Sequence, residues 1–392
     1  AKRAKKCFCV NYKKQSVRPR LLPRAKKSVM KKTNKKKIII NVCITVAVFL
    51  LAAIYLTRSK TVTGDSITNV GVGDSVIVLC FFFFALLLYA LTDFFVYRTF
   101  TDNMPVRKCI MNTLAGNLGS NVTPLKSGHF PLMAYYRYVT GIPPAESVAG
   151  LVKCQIIYST TSTFVYAALC VLLACMGTSF VFEGITVRLW LVILIGFLFH
   201  AAVLGGILVL SFCKGLQIFA VRQWGKLLVK LKKVDSIEDY VKEKGAWFDN
   251  YRAETLVIYK KFYRYIPACA CYSAFMLAFG SVQYVAYVTF TGEAFSFDTM
   301  FIFYTLNIAA AYITNVIPVP GGVGTAEVIF TLVYACVIPE SIIGSVLILW
   351  RAGSYYLATI AEAVAVPVAL FAKRKNRGEN ETRREEISEN KD

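Results

Sequence analysis

The chain has 392 residues, 56% of them hydrophobic, and 45 Lys and Arg against 23 Asp and Glu for a net charge of +22. Soluble domains run about 45–50% apolar, so a chain this greasy and this basic is excluded as an ordinary soluble globule and reads as a polytopic membrane protein. Residues 1–37 alone carry 16 Lys and Arg and no acid. That concentration excludes a uniformly basic surface tracking a phosphate backbone, so no nucleic-acid partner is expected.

In chain order, residues 1–37 form a basic cytoplasmic tail, within which Met30-Lys31-Lys32 opens the lead-in to the first span and residues 1–29 are expected to be dispensable. Six stretches are long and apolar enough to cross a bilayer: 38–56, 76–97, 154–176, 186–211, 266–290 and 341–371. The first is read as an anchor, because no small-residue cleavage site follows it. Two more regions, 107–138 and 299–337, are apolar but interrupted. The first carries Asn117, Gly119, Asn121, Pro124 and Gly128; the second carries Pro318, Pro320, Gly321, Gly322 and Gly324. Broken backbone at membrane depth is tolerated only where protein or a wet cavity surrounds it, so both regions are predicted to be helix–break–helix hairpins that enter and leave on one side.

Sidedness follows the Lys and Arg distribution. Loop 57–75 holds only Arg58 and Lys60, and loops 177–185 and 291–298 hold no basic residue, so all three are placed outside. Segment 214–264 has 12 Lys and Arg against 6 acids and is placed inside, as amphipathic surface helices. Residues 372–392 form a charged cytoplasmic tail. The expected architecture is an all-α polytopic membrane protein. Repeats 38–176 and 186–371 each contain three spans and one re-entrant hairpin, in opposite orientation. Inverted repeats of this kind place a substrate near the midplane, where the broken helices meet.

Ten of the twelve cysteines lie in or beside apolar runs, where free Cys acts as a small hydrophobe. Cys7 and Cys9 have no matching pair elsewhere, so neither a disulfide framework nor a metal site is expected, and no cofactor. The first hairpin is dense in polar and cationic groups: Asn121, Lys126, His129 and Arg137 in the run Gly116–Arg137. Freed backbone N–H groups with Lys126 and Arg137 could hold a phosphate; the alternative is a shallow hairpin whose cations snorkel to the interface.

In the second hairpin, Pro318-Val319-Pro320-Gly321-Gly322-Val323-Gly324-Thr325-Ala326-Glu327 resembles a phosphate loop only superficially, since no Gly-Lys-Ser/Thr follows. Arg351 lies about ten residues into the last apolar run, where an Arg costs about 2.5–3.5 kcal/mol and needs a partner. Glu327 or a lipid phosphate is the natural one, so either a purely structural ion pair or a role at the substrate follows. His200 and Glu362 are expected to make helix–helix hydrogen bonds, Asp93 to pair with Arg98 or a basic loop, and Phe81–Phe84 to form a lipid-facing stripe.

The run Asn315–Glu327, followed by Leu349-Trp350-Arg351 and Tyr355-Tyr356, resembles the motif of the lysylphosphatidylglycerol synthase transmembrane-region family. Asn121–Pro131 with Gly141-Ile142-Pro143 is similar to the first-half motif, although Gly128-His129 stands where many relatives have Gly-Glu. The resemblance, over about residues 38–371, implies the flippase region of bacterial enzymes that make aminoacylated phosphatidylglycerol and move it outward, giving resistance to cationic peptides. With only about 20 residues after the last span, the chain is expected to lack the aminoacyl-transferring domain and not to be an enzyme by itself.

The leading expectation is a flippase in the cytoplasmic membrane, both termini inside, for an anionic or aminoacylated phospholipid or a polyprenyl-phosphate-linked lipid. Its substrate would meet Asn121, Lys126, Arg137, Glu327, Arg351 and Tyr355. Its partners would be membrane lipids, a separately encoded lipid-modifying enzyme and a second copy of the chain. The alternatives are a membrane-embedded, glycosyltransferase-like enzyme acting on a polyprenyl phosphate, and a lipid-binding partner subunit.

Overall fold

The computed structural model describes residues 68–371, apart from 143, 183, 231–235, 239, 242–255, 257 and 318. Every described residue belongs to one compact unit, Ala47–Asp392. The predicted tails 1–37 and 372–392, the first span 38–56 and Pro318 lie outside the described residues.

Helices dominate. Among the described residues four are long and apolar enough to span a membrane: Val72–Tyr97, Ala149–Met176, Leu189–Val209 and Glu340–Phe371; a bent pair, Phe262–Gly280 with Val282–Thr291, makes up to five. The chain is therefore a multi-pass helical membrane protein, as its composition requires.

The first described helix, α1 (Val72–Tyr97), buries Val78, Phe82, Ala85 and Leu86 along one stripe and leaves Val76, Ile77, Phe84 and Leu87 exposed. A spacing of three and four residues between buried positions is that of a helix with one face committed to protein. The predicted lipid-facing stripe Phe81–Phe84 is corrected here. Phe82 belongs to the core with Val282, Ala286, Val346 and Leu349, while Phe84 faces outward.

The first interrupted region is α2 (Val106–Val122), a tight turn Pro124–Lys126 and α3 (His129–Val139). Asn117, Gly119 and Asn121, expected to break the helix, are helical; the break begins at Thr123, whose extended backbone ends α2. Helix α4 (Pro144–Met176) follows, then a two-stranded antiparallel hairpin, β1 (Ser179–Phe182) with β2 (Ile185–Arg188), which pairs Phe180 with Val187. This hairpin was not anticipated: it replaces a plain loop and delays the next helix, α5 (Leu189–Phe212). After α6 (Lys214–Lys230) come α7 (Ile266–Gly280) and α8 (Val282–Thr291), which the sequence reading joined into one straight span. They bend by 47° at Ser281.

The second interrupted region is α9 (Phe297–Val316), the turn Pro320–Gly322 and α10 (Thr325–Tyr334). The last helix, α11 (Glu340–Phe371), contains a π-turn at Ala352–Tyr356. Gly353 lets this turn lie against α1, because a β-carbon there would meet Val78 and the Leu79 backbone. Close approach through small residues is how helices associate where lipid removes the hydrophobic drive between them.

Candidate functional site

Arg351 and Glu327 meet as the cost of an intramembrane Arg demands. Arg351 Nε donates to Glu327 Oε1 at 2.7 Å, and its NH2 donates to the Gly322 carbonyl at 3.3 Å. Glu327 stands at the third position of α10 and accepts the Gly324 N–H on Oε2 at 2.6 Å. One carboxylate thus closes the helix N-terminus and neutralises the guanidinium, each favourable near the positive end of a helix dipole.

The π-turn after Arg351 inserts an extra residue and brings two tyrosines to the pair. Tyr355 lies under the guanidinium at 4.7 Å, and the Tyr356 hydroxyl donates to Glu327 at 3.5 Å. Single π-turns recur at functional sites for this reason: they rotate side chains out of the regular helical register.

The Gly-rich turn is set by conformation as much as by composition. Gly321, Gly322 and Gly324 have φ of 61°, 65° and 85°, values that L side chains rarely adopt. Among the predicted breaks of this hairpin, Pro320 opens the turn at its first position.

The first hairpin turns differently. Pro124 opens it, and Leu125 and Lys126, neither a glycine, both sit at φ 52°. Two consecutive left-handed non-glycine residues cost of order 1–3 kcal/mol each and persist only when the surroundings hold them. What holds them is visible. Thr123 Oγ1 donates to the Gly119 carbonyl at 2.6 Å and accepts the Gly128 N–H at 2.7 Å. Gly128 has an ordinary helical φ of −81°. It is a glycine for space, since a β-carbon on Gly119 or Gly128 would strike the other's carbonyl.

The two turns abut. Tyr355 ties them together, its hydroxyl donating to the Asn121 carbonyl at 3.3 Å. The Asn121 amide in turn donates to Thr359 on α11 at 3.0 Å, and Asn117, one helical turn earlier, donates to Glu362 at 2.8 Å. Glu362 thus makes the helix–helix hydrogen bond expected of it. His200 instead stacks on Tyr166, with ring centroids 4.9 Å apart.

Between the turns and the bend at Ser281 lies a cavity of about 610 Å³. Asn121, Lys126, Arg351 and Tyr355 line it, together with Gly321 and Gly322. The rest of its wall is chiefly aromatic and aliphatic, including Phe82, Phe275, Phe279, Phe330 and Trp350. Lys126 makes no hydrogen bond or ion pair among the described residues, and Arg351 NH1 is likewise unbonded. An apolar cleft with an unpaired Lys126 at one broken turn and a free guanidinium N–H of the paired Arg351 at the other is chemically suited to an anionic amphiphile.

Sequence reasoning missed two wall residues. Gln283 Nε2 donates to Asn307 Oδ1 at 2.7 Å, and Asn307 Nδ2 donates to the Gly280 carbonyl at 3.4 Å. Their signal was a polar amide isolated in each of two apolar runs, which in a membrane marks either a helix contact or a cavity.

Arg137 is not brought to this site. It is 1% exposed and sits on the far side of α2, its Nε donating to Asn112 Oδ1 at 3.1 Å, NH1 to the Ser147 carbonyl at 3.3 Å, and its guanidinium over Tyr97. Asn112 also donates to Asp93 Oδ2 at 3.5 Å. The expected Asp93–Arg98 pair is therefore corrected. Asp93 accepts from Tyr158, Cys154 and Asn112, and Arg98 is exposed. Helical geometry explains the error: residues five apart lie on different faces, whereas Asn112 bridges Asp93 and Arg137 from a neighbouring helix.

No curated protein matches the chain. The family described as lysylphosphatidylglycerol synthase TM region matches residues 38–361, which include both broken hairpins, the cavity wall and Arg351. The chain belongs to the lysylphosphatidylglycerol synthase transmembrane-region family.

Proposed function

We propose that the chain moves an anionic phospholipid, or a polyprenyl-phosphate-linked lipid, between the leaflets of the cytoplasmic membrane. The observation that carries this reading is the cavity of about 610 Å³ between two broken hairpins, apolar along most of its wall and cationic at Lys126 and Arg351. Family membership supports it, because this membrane region is associated with lipid flipping.

The phosphate would be held by Lys126 and by Arg351, released in part from Glu327, while acyl or prenyl chains lie along the phenylalanine wall. The two halves, 38–176 and 186–371, would act as repeats of opposite orientation rocking about the cavity, with residues 1–37, 214–264 and 372–392 on the cytoplasmic side. Glu327 balances Arg351 when the cavity is empty, so the cation need not face hydrocarbon alone.

Purified chain in liposomes carrying a headgroup-labelled fluorescent phosphatidylglycerol tests this. Loss of fluorescence to an external quencher should proceed past the half expected for the outer leaflet, and Arg351→Ala should slow the protected fraction about tenfold or more. Lys126→Ala, at an exposed position, should weaken discrimination between anionic and zwitterionic lipid and leave the fold intact. Turnover of a sugar donor on a polyprenyl phosphate with no lipid movement would overturn the reading in favour of an embedded transferase.

A further inference from the structure

Glu362 is 1% exposed and lies on α11, in the half of that helix beyond the π-turn. Its Oε1 accepts the Asn117 amide at 2.8 Å, and its Oε2 is buried with no partner among the described residues. An ionised carboxylate in such a place would be costly: one neutral donor does not compensate a buried charge, and an unpaired acidic group within a membrane segment is rarely idle.

Among the described residues near Glu362, Arg351, Tyr355, His129, Arg137 and Asp93 are bonded elsewhere, and Lys126 is unpaired. On α11 itself Arg351 holds Glu327, and Tyr355 holds the Asn121 carbonyl. On α3 His129 bonds Ser120, and Arg137 bonds Asn112 and Ser147; Tyr136 joins Val366, Ala115 and Leu118 in an apolar cluster. On α1 Asp93 is bound by Tyr158, Cys154 and Asn112. Lys126 lines the cavity, and among the described residues the polar side chain bonded to the Glu362 carboxyl is the neutral Asn117.

The position matters because Asn117 also lines the cavity. Asn117 and Asn121 are one turn apart on α2 and bond Glu362 and Thr359 on α11, while Tyr355 bonds the α2 backbone. These three bonds form a polar seam along one wall of the site, and Glu362 is its only acid. The geometry points to Glu362 as a proton-binding site that couples opening of this seam, and so lipid movement, to the proton gradient across the membrane.

In this structure the seam is closed, and on the proposed cycle this is the state in which the carboxyl holds its proton. When α2 parts from α11 and water reaches the carboxyl, the O–H bond breaks heterolytically and the proton leaves to the solvent on the side then open. Rebinding a proton from the other side lets the seam close. The inference rests on the translocation reading for its consequence, but not for its first test. Glu362 also lies one residue past the stretch matched by the family.

Infrared difference spectroscopy on the reconstituted full chain reads the acid directly. A carboxylic-acid carbonyl band is expected at neutral pH, lost in Glu362→Gln and diminished when phosphatidylglycerol is added. If wild type and Glu362→Gln give the same spectrum in that region, the site carries no proton and the inference fails, whatever the lipid assay shows.

The second arm is the fluorescent-lipid assay under a pH gradient of one unit, which biases a step coupled to one proton by about tenfold. Wild type should respond to the sign of the gradient, and Glu362→Gln, which keeps the Asn117 contact, should move lipid at a rate independent of it. Equal rates in wild type with and without the gradient would overturn the coupling while leaving translocation standing. Asn117→Ala, which removes the donor but keeps the acid, should retain the gradient response at an altered rate; its loss alongside an unchanged infrared band would also overturn the assignment.

Discussion

Arg351 serves two partners at once, and the cost of removing it separates a structural ion pair from a substrate contact. Arg351→Ala would leave the Glu327 carboxylate buried with the Gly324 N–H as its strongest remaining bond. Breaking a buried pair from one side costs about 3–5 kcal/mol, so the single variant should melt well below wild type in detergent. Replacing both members changes the sum. Arg351→Met with Glu327→Gln removes both charges and keeps an acceptor for Gly324, so most of the lost melting temperature should return. If Arg351 only locks the hairpin, lipid movement returns with it. On the proposed mechanism the stable double variant stays inactive, and full activity in it would refute a substrate role.

Gly321 makes a second residue-scale case. Its φ of 61° and the nearness of the Tyr355 ring leave no room for a β-carbon. Gly321→Ala should therefore lose about 2–5 kcal/mol, from left-handed strain plus overpacking. Gly205, inside α5 with no neighbouring atom within 4 Å, is the contrast. There alanine should be neutral or stabilising by up to about 1 kcal/mol. A melting experiment in which the two variants behave alike would show that the turn is not the constraint the geometry makes it.

At the scale of elements, the contact between the two broken hairpins hangs on few groups. Tyr355→Phe removes the hydroxyl that joins α11 to the Asn121 carbonyl and leaves the ring beneath Arg351. One such bond contributes about 1 kcal/mol, so the melting temperature should barely move. On the proposed mechanism the translocation rate should change far more than stability, because this bond joins the two turns that would move relative to each other; equal small effects on both would make Tyr355 mere packing.

The breaks in both interrupted regions were legible in the sequence from the Pro and Gly clustered inside apolar runs, although Gly119 proved to be a packing glycine within a helix. The Arg351–Glu327 pair was legible because an intramembrane charge must find its complement. The rest depended on contacts between distant segments. The bend at Ser281 has only a Gly280–Ser281 pair to announce it, and Gly280 is a glycine because Tyr304 of α9 lies against it. Arg137 looked like a second phosphate ligand because it shares a hairpin with Lys126. Only the packing of α1 and α4 around α2 shows that it turns to Asn112 and Ser147. The π-turn that gathers Tyr355 and Tyr356 leaves no trace in composition, since its residues Ala352–Tyr356 suit an ordinary helix equally well.

Over the whole molecule, the uneven charge that first marked the chain becomes a statement about orientation. The proposed opposed halves would let one cavity open to either leaflet, so the proposed mechanism depends on two connections lying on opposite sides. The β-hairpin Ser179–Arg188 joins α4 to α5 and is placed outside by its lack of Lys and Arg before Arg188; α6, starting at Lys214 on the other end of α5, is placed inside. Helix α5 has 24 residues, about 36 Å at 1.5 Å per residue, enough to carry the chain across the hydrocarbon core. An epitope inserted at Gly184, an exposed turn glycine with φ of 79°, should be tolerated, because nothing lies near it. It should be stained by antibody on intact spheroplasts. The same epitope inserted after Lys230 should be stained only once the membrane is permeabilised. Staining of both sites from outside would mean that α5 does not cross. The reverse pattern would invert the chain and aim the basic segment at the wrong leaflet. The first result would remove the geometric basis for alternating access while leaving the cavity and its cations in place; the second would keep opposed halves but reverse the assigned sidedness.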